Sequence, residues 1–210
     1  MRITSVNVGR AETIAHENKI MTTGICKRQV PGPVEVTAMG LRGDQIMNGE
    51  HHGGIDQAVY AYSADDYEWW ASDTGREFHA GLFGENLTIS GLPSDMAIGD
   101  RLLIGDVVLE ATSARIPCST LATRMADRGF GQAFRKAERP GIYFRVLNPG
   151  IVASGDSVTM IEGGASSVTV LDLFRFAYET SHEAAKLRRF LEAPVAERVR
   201  AQIEKKLAKA

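Results

Sequence analysis

The chain has 210 residues, 44% of them hydrophobic, enough for one good core and a small appendage. Its 24 basic and 26 acidic residues nearly balance, which argues against nucleic acid or an anionic membrane as a partner. No apolar run approaches the ~20 residues of a membrane span. The N-terminus lacks the apolar core of a secretory signal, so the expected compartment is the cytoplasm, where Cys26 and Cys118 remain thiols.

Met1 to Val8 alternates as a strand. Gly9 to Thr23 is polar and reads as a loop followed by a short strand near Ile20-Met21. Val30-Pro31-Gly32-Pro33 marks a turn into the strand Val34–Thr37, and Gly40 and Gly43 bracket tightly turning backbone. Residues 44–57 form a polar loop carrying Asp44, Glu50, His51, His52 and Asp56; its His-His-Gly-Gly-x-Asp pattern matches none of the usual zinc signatures. Ala58–Tyr62 reads as a strand. Ser63 caps a helix running to about Ser72, with Asp65 and Asp66 in its first turn and Tyr67 and Trp70 on a buried face.

Gly84–Ile89 is a turn into a strand, in which Asn86 serves the turn or points at a ligand. Gly105-Asp106 joins two strands, the second beginning at Val107 and stopping at Pro117. Cys118 follows that proline, with Arg115 three residues earlier. A thiol at a strand end beside a guanidinium is placed for nucleophilic or metal chemistry; the competing reading is a buried structural cysteine. Helices are expected at Thr120–Asp127 and Gln132–Ala137. Strands follow at Gly141–Leu147, Ile151–Ala153 and Asp156–Ile161, with Asn148-Pro149-Gly150 as a turn. Many short strands separated by glycine turns predict an antiparallel barrel.

Glu162–Ser167 has linker composition. Beyond it three helices are expected: one capped by Thr169, one opened by a Thr180/Glu183 capping box, and one beginning at Pro194. Such short helices need to pack on the barrel or on a partner.

Thr23-Gly24-Ile25-x-Lys27, Gly32-Pro33-Val34, Gly40-Leu41-x-Gly43-Asp44, His51-His52-Gly53-Gly54-x-Asp56-x-Ala58–Tyr62, Phe83-Gly84-Glu85-Asn86, Ile98-Gly99-Asp100 and Pro117-Cys118, in this order and spacing, resemble the MOSC domain family, the C-terminal module of molybdenum-cofactor sulfurases. Within it the chain is most similar to stand-alone YiiM-type members with a three-helix extension. The resemblance implies a mainly β, antiparallel MOSC-type barrel over residues 1–162 and a helical segment over 167–210. It implies a molybdenum cofactor (molybdopterin) with Cys118 as the protein ligand of the metal, in a pocket lined by Lys27, His52, Asn86 and Arg115. It also admits pyridoxal phosphate binding. Two positions depart from the family loop: Ile55 stands where proline is common, and Gln57 stands where a basic residue would contact a phosphate.

The implied activity is reduction of N-hydroxylated compounds such as 6-hydroxylaminopurine. Cys118 and His52 are then the catalytic residues, and His52 or Asp56 relays protons. The residues suit this chemistry: thiolate sulfur suits a soft metal, and Lys27, Arg28 and Arg115 suit an anionic cofactor. The sequence has no flavin or dinucleotide signature and too few cysteines for an iron–sulfur cluster, so an external reductase supplies electrons. The alternative is a carrier that delivers the cofactor, or sulfur as a Cys118 persulfide. A third reading makes Cys118 a nucleophile with a histidine base, but no spacing pairs it with His16, His51, His52, His79 or His182. The helical tail would cover the pocket, form a homodimer or dock the reductase.

Overall fold

The computed structural model of the protein describes residues 1–47, 49, 53–163 and 167–209. The alternating N-terminus forms β1 (Arg2–Gly9). The polar stretch after it holds the strand expected near Ile20-Met21, but its first part is a second strand and not a loop. It folds as a full hairpin of β2 (Glu12–His16) and β3 (Lys19–Thr23), turning at Glu17 with φ 51°. Its residues are mostly exposed or half-buried, so it has no apolar face for periodicity to reveal.

Next come β4 (Lys27–Gln29), β5 (Val34–Thr37), β6 (Gly40–Leu41), a 3-10 turn (Ile55–Gln57) and β7 (Val59–Ser63). Helix α1 (Ala64–Thr74) leads to β8 (Leu87–Ser90), and β9 (Arg101–Ile104) pairs with β10 (Val107–Ala114) across Gly105-Asp106 as expected. Helices α2 (Ser119–Arg124) and α3 (Phe130–Ala137) precede β11 (Ile142–Asn148), β12 (Gly150–Val152) and β13 (Thr159–Ile161). The chain ends in α4 (Val170–Phe176), α5 (Ala184–Glu192) and α6 (Glu197–Leu207).

The principal sheet has eight strands in the order β13-β9-β10-β11-β7-β8-β1-β4. Its ladders are antiparallel except for the parallel pair β7–β8. The expected closed barrel is therefore corrected: among the described residues the ladders do not close, and the architecture is a large mixed sheet with helices packed on it. The start of β1 does approach the far end of the sheet, where the Ile3 N–H donates to Asp156 O (2.9 Å) and the Val158 N–H to Met1 O (3.0 Å). Strand β12 also departs from the simple meander; it pairs with β5 in a separate three-stranded sheet.

Strand β10 is buried along nearly its whole length. It ends at Ala114 rather than Pro117 because its partner β11 begins opposite that residue, at Ile142. Four residues of non-strand chain, Arg115 to Cys118, then bridge to α2.

One side of the core is an aromatic cluster. The Trp70 indole N–H donates to the Tyr62 hydroxyl (2.8 Å), and the Trp70 ring stacks on Phe78 (5.8 Å) and Phe134 (6.2 Å). Phe83 meets Tyr62, Tyr67, Trp70, Phe130 and Phe134 edge-on or tilted at 5.0–6.0 Å. Phe134 in turn touches Phe174 of α4 at 6.3 Å. The Tyr67/Trp70 face expected on α1 is buried, although Ser63 makes no side-chain cap bond and the helix runs two residues further, to a left-handed Gly75.

The C-terminal helices pack on the sheet. Thr169 and Asp172 form a complete capping box for α4. The expected Thr180/Glu183 box is not formed: Glu183 itself occupies the N-cap of α5 in extended conformation, without a side-chain cap bond. Pro194 lies just before α6 rather than in it; the N-cap is Ala196, whose N–H donates to Thr112 O of β10 (3.0 Å). Phe134 thus joins α3, α1 and the tail. Truncation by Phe134→Ala is expected to destabilise the protein by about 3–5 kcal/mol, the range for a large buried aromatic, measured as a shift in denaturant midpoint at unchanged m-value.

Candidate functional site

A cavity of about 620 Å³ opens between β3, the described residues 45–47, 49, 53 and 57, and the chain leaving β10. That volume lies within the usual range for a bound organic molecule. Lys27, Asn86, Arg115 and Cys118 all line it, so four of the five expected site residues share one cavity. The fifth, His52, lies outside the described residues, as do His51 and Glu50.

Two glycines let the walls come together. A Cβ on Gly24 would sit 1.8 Å from Gln45 O, so only glycine lets this chain run against the 45–47 segment. Gly84 has φ 83°, and a Cβ there would press on Ile25 Cγ1 at 2.8 Å. These contacts set the loops carrying Lys27 and Asn86 side by side.

Asp44 joins them. Its carboxylate pairs with the Lys27 amine, accepts from Asn86 Nδ2 (2.9 Å) and accepts from the Gly9 N–H (2.8 Å). Asn86 Oδ1 accepts from the Tyr60 N–H (3.1 Å). Burial drives the Lys27 pKa down, and Asp44 holds it up without cancelling the effect. Lys27 is therefore a member of an internal ion pair at the cavity wall, and most of its charge is answered by Asp44. Sequence reading placed Asp44 in a polar loop and left it out of the site; the signal was its fixed spacing in Gly40-Leu41-x-Gly43-Asp44.

Glu85, wholly buried, fixes the loop ahead of Asn86. It accepts from the Gly81 N–H (2.5 Å), the Thr88 hydroxyl (2.8 Å) and the Tyr67 hydroxyl (2.8 Å). Burial pushes its pKa up, and these three bonds pull it back only in part.

Arg115 and Cys118 form the chemically distinctive pair. Arg115 is 4% exposed, and its Nη2 donates to Cys118 Sγ at 3.6 Å. Burial alone would lower its pKa; Tyr143, the Cys118 sulfur and Tyr60 more than offset this and raise it, so a charged guanidinium stands beside the sulfur. Cys118 is half-buried at the cavity edge, whereas Cys26 is 2% exposed in the core. Cys26 is thus the buried core cysteine, and Cys118 is half-buried, packed against the core from the cavity edge. Arg28, also considered as a counter-charge, lies on the exposed side of β4 and pairs with Glu12.

Asp56 is not among the residues that line the cavity. It pairs with Arg145 (3.0 Å) and accepts the Glu197 N–H (2.8 Å) at the start of α6. Gln57 does line the cavity, and Arg198 of α6 donates to its Oε1 (3.0 Å) and to Gly49 O. The tail thereby supplies a guanidinium next to a position where the sequence carries a neutral amide. Among the described residues no group of three His, Cys, Asp or Glu side chains gathers as a metal site, and no helix is long and apolar enough to cross a membrane.

A family model described as the MOSC domain matches residues 48–159, and the chain belongs to that family. Within the family it is a YiiM-type protein: the crystal structure of YiiM from Geobacillus stearothermophilus superposes with a TM-score of 0.81 at 30% identity, covering 98% of both chains. The YflK protein of Bacillus subtilis is 31% identical over 206 residues, 97% of this chain and 93% of its own. A Gibberella moniliformis protein named reductase is 33% identical over 176 residues; these are 81% of this chain but 31% of that protein.

Two measurements test the buried network. Asp44→Ala leaves the Lys27 amine buried without its carboxylate and is expected to destabilise the fold by about 3–5 kcal/mol, with the double variant Asp44→Ala/Lys27→Met recovering part of the loss in equilibrium unfolding. Glu85 holds its proton in the folded state above the pH at which the unfolded chain loses it. Its contribution to stability therefore falls as pH climbs from the ordinary glutamate value to the raised one. The unfolding free energy of wild type should fall relative to that of Glu85→Gln across that window; a pH-independent difference would refute the assignment.

Proposed function

We propose that the chain is a molybdenum-cofactor oxidoreductase that reduces small N-hydroxylated compounds, 6-hydroxylaminopurine among them. The observation that carries this is the Arg115 guanidinium 3.6 Å from Cys118 Sγ, at the edge of a cavity large enough for an organic cofactor. Thiolate sulfur is an apt ligand for a soft metal. The bound cofactor would supply the two-electron chemistry of N–O reduction, with electrons from an external reductase. The similarity to a region of the Gibberella protein named reductase supports a redox setting for the module.

The chain's own residues divide the work. Cys118 holds the metal, and Arg115 orients the sulfur and balances its negative charge. Asn86 is fixed by Asp44 and the Tyr60 N–H, so its position in the wall is set before anything binds. Lys27 adds a buried donor whose charge is shared with Asp44. His52 is assigned the proton-donating role, and Asp56 is tied to Arg145 and the start of α6. Schiff-base chemistry of the pyridoxal phosphate kind gains no support here, because the Lys27 amine is engaged by Asp44.

The test is metal analysis and turnover of protein produced in a host that makes the cofactor. Wild type is expected to carry about one molybdenum per chain and to reduce 6-hydroxylaminopurine when given an electron donor, and Cys118→Ala to lose both. Arg115→Ala should retain the fold and bind the cofactor about 10–100-fold more weakly, as for other groups that orient a metal ligand. Cofactor retained without turnover would mark a carrier; no molybdenum under good cofactor supply would overturn the proposal.

A further inference from the structure

Tyr143 is a cavity residue that neither the sequence motifs nor the assignments above use. In the sheet register it stands on β11 between Ser113 of β10 and Tyr60 of β7. Cross-strand partners project on the same face, and the Tyr143 and Tyr60 rings meet at 5.0 Å. Both rings line the 620 Å³ cavity together with Arg115 and Cys118. Arg115 leaves β10 just beyond Ser113, and its guanidinium carbon lies 6.0 Å from the centre of the Tyr60 ring.

The neighbouring tyrosine hydroxyls are engaged within the fold. Tyr60 donates to Pro140 O (2.9 Å), Tyr62 to Arg139 O (3.1 Å) and Tyr67 to Glu85 (2.8 Å). The Tyr143 hydroxyl has no protein acceptor among the described residues. Its side chain is 8% exposed at the cavity wall, so the O–H is left for a molecule bound in the cavity. Four influences act on that phenol. Burial raises its pKa, Arg115 holds it down, the Cys118 sulfur raises it again, and Arg198 of α6 lowers it. The phenol therefore keeps its proton near neutral pH, with a guanidinium at hand to receive a phenolate.

We propose that Tyr143 is a catalytic proton donor, passing its hydroxyl proton to the oxygen that leaves the substrate nitrogen. The inference rests on the reductase reading given above. Reducing an N-hydroxylated amine takes up two electrons and two protons: the N–O bond breaks, the oxygen departs as water, and the nitrogen gains a hydrogen. The external reductase supplies the electrons. His52 accounts for the proton gained at nitrogen, and the departing oxygen needs the other. Hydroxide is a strongly basic leaving group, so even a weak acid such as a phenol assists its departure. The phenolate left behind faces Arg115, and water returns the proton after product leaves.

The test is made on molybdenum-loaded protein. Tyr143→Phe is expected to keep its molybdenum and its KM for 6-hydroxylaminopurine, while kcat falls about 100-fold or more, the share of one proton donor. A ring-fluorinated tyrosine in place of Tyr143 keeps the shape and is a stronger acid. It should move the alkaline limb of the kcat–pH profile to lower pH, and it serves if the phenylalanine variant fails to fold. As a readout apart from turnover, tyrosine is isotope-labelled at Cζ and 6-hydroxylaminopurine is added without an electron donor. The Tyr143 resonance should shift, and those of Tyr62 and Tyr67 should stay in place. A kcat in folded, loaded Tyr143→Phe within about threefold of wild type overturns the role, as does an unmoved alkaline limb or an unmoved Tyr143 resonance. Loss of molybdenum from folded Tyr143→Phe makes the residue a support for the cofactor and overturns it equally. Wild type that takes up no molybdenum overturns the reductase reading, and this role with it.

Discussion

The site depends on a buried carboxylate shared by three pieces of chain that lie far apart in sequence. Asp44 takes a hydrogen bond from the end of β1 at Gly9, one from the loop ahead of β8 at Asn86, and the ion pair with Lys27 of β4. Lys27 and Asp44 are each almost wholly withdrawn from water, with side-chain exposures of 7% and 5%. Such a pair gives little net stability over an apolar alternative, because desolvation opposes the Coulomb gain, but it tolerates no loss of one partner. It makes the relative placement of the three segments nearly all-or-none. The cavity wall inherits that definition.

A second constraint acts from the other end of the chain. The 3-10 turn at Ile55–Gln57 is held from both sides of Asp56, through its own carbonyl to the Thr112 hydroxyl (2.5 Å) and through its carboxylate to Arg145 and the first N–H of α6. Arg145 also donates to Pro194 O (3.2 Å) and Val195 O (3.4 Å), so β11, the turn and the helix lock into one unit. Gln57, next in sequence, then meets Arg198 at the cavity. The C-terminal helices therefore act on the site mechanically, by fixing the loop that forms one of its walls. Three short helices have little stability alone; here their apolar faces are completed by the sheet and by the aromatic cluster at Phe134 and Phe174.

The same cluster explains the Phe83-Gly84-Glu85-Asn86 motif residue by residue. Phe83 anchors the loop in the aromatic core, Gly84 adopts the left-handed backbone the turn requires, Glu85 gathers three internal donors, and Asn86 is left facing the cavity. A motif read in sequence as a turn into a strand is a packed support with one side chain at the cavity wall.

Local chemistry announced most strands, the starting positions of α1 and α4, and the nearness of Arg115 to Cys118. These rest on alternation, glycine and proline punctuation, and a three-residue spacing, all of which act within a few residues. Strand β3 was legible at Ile20-Met21, but its partner β2 escaped because its residues are only half-buried or exposed, and the barrel expectation failed because closure depends on which strand edges meet, something short-range pattern does not encode. Asp44 looked like any polar loop residue until folding surrounded it with Gly9, Lys27 and Asn86. Likewise no spacing joined a histidine to Cys118, yet the hairpin brings His16 to a cavity that Cys118 also lines. Residue type and local order set the available chemistry; long-range packing chose the partners, because burial and distance exist only once the chain has closed on itself.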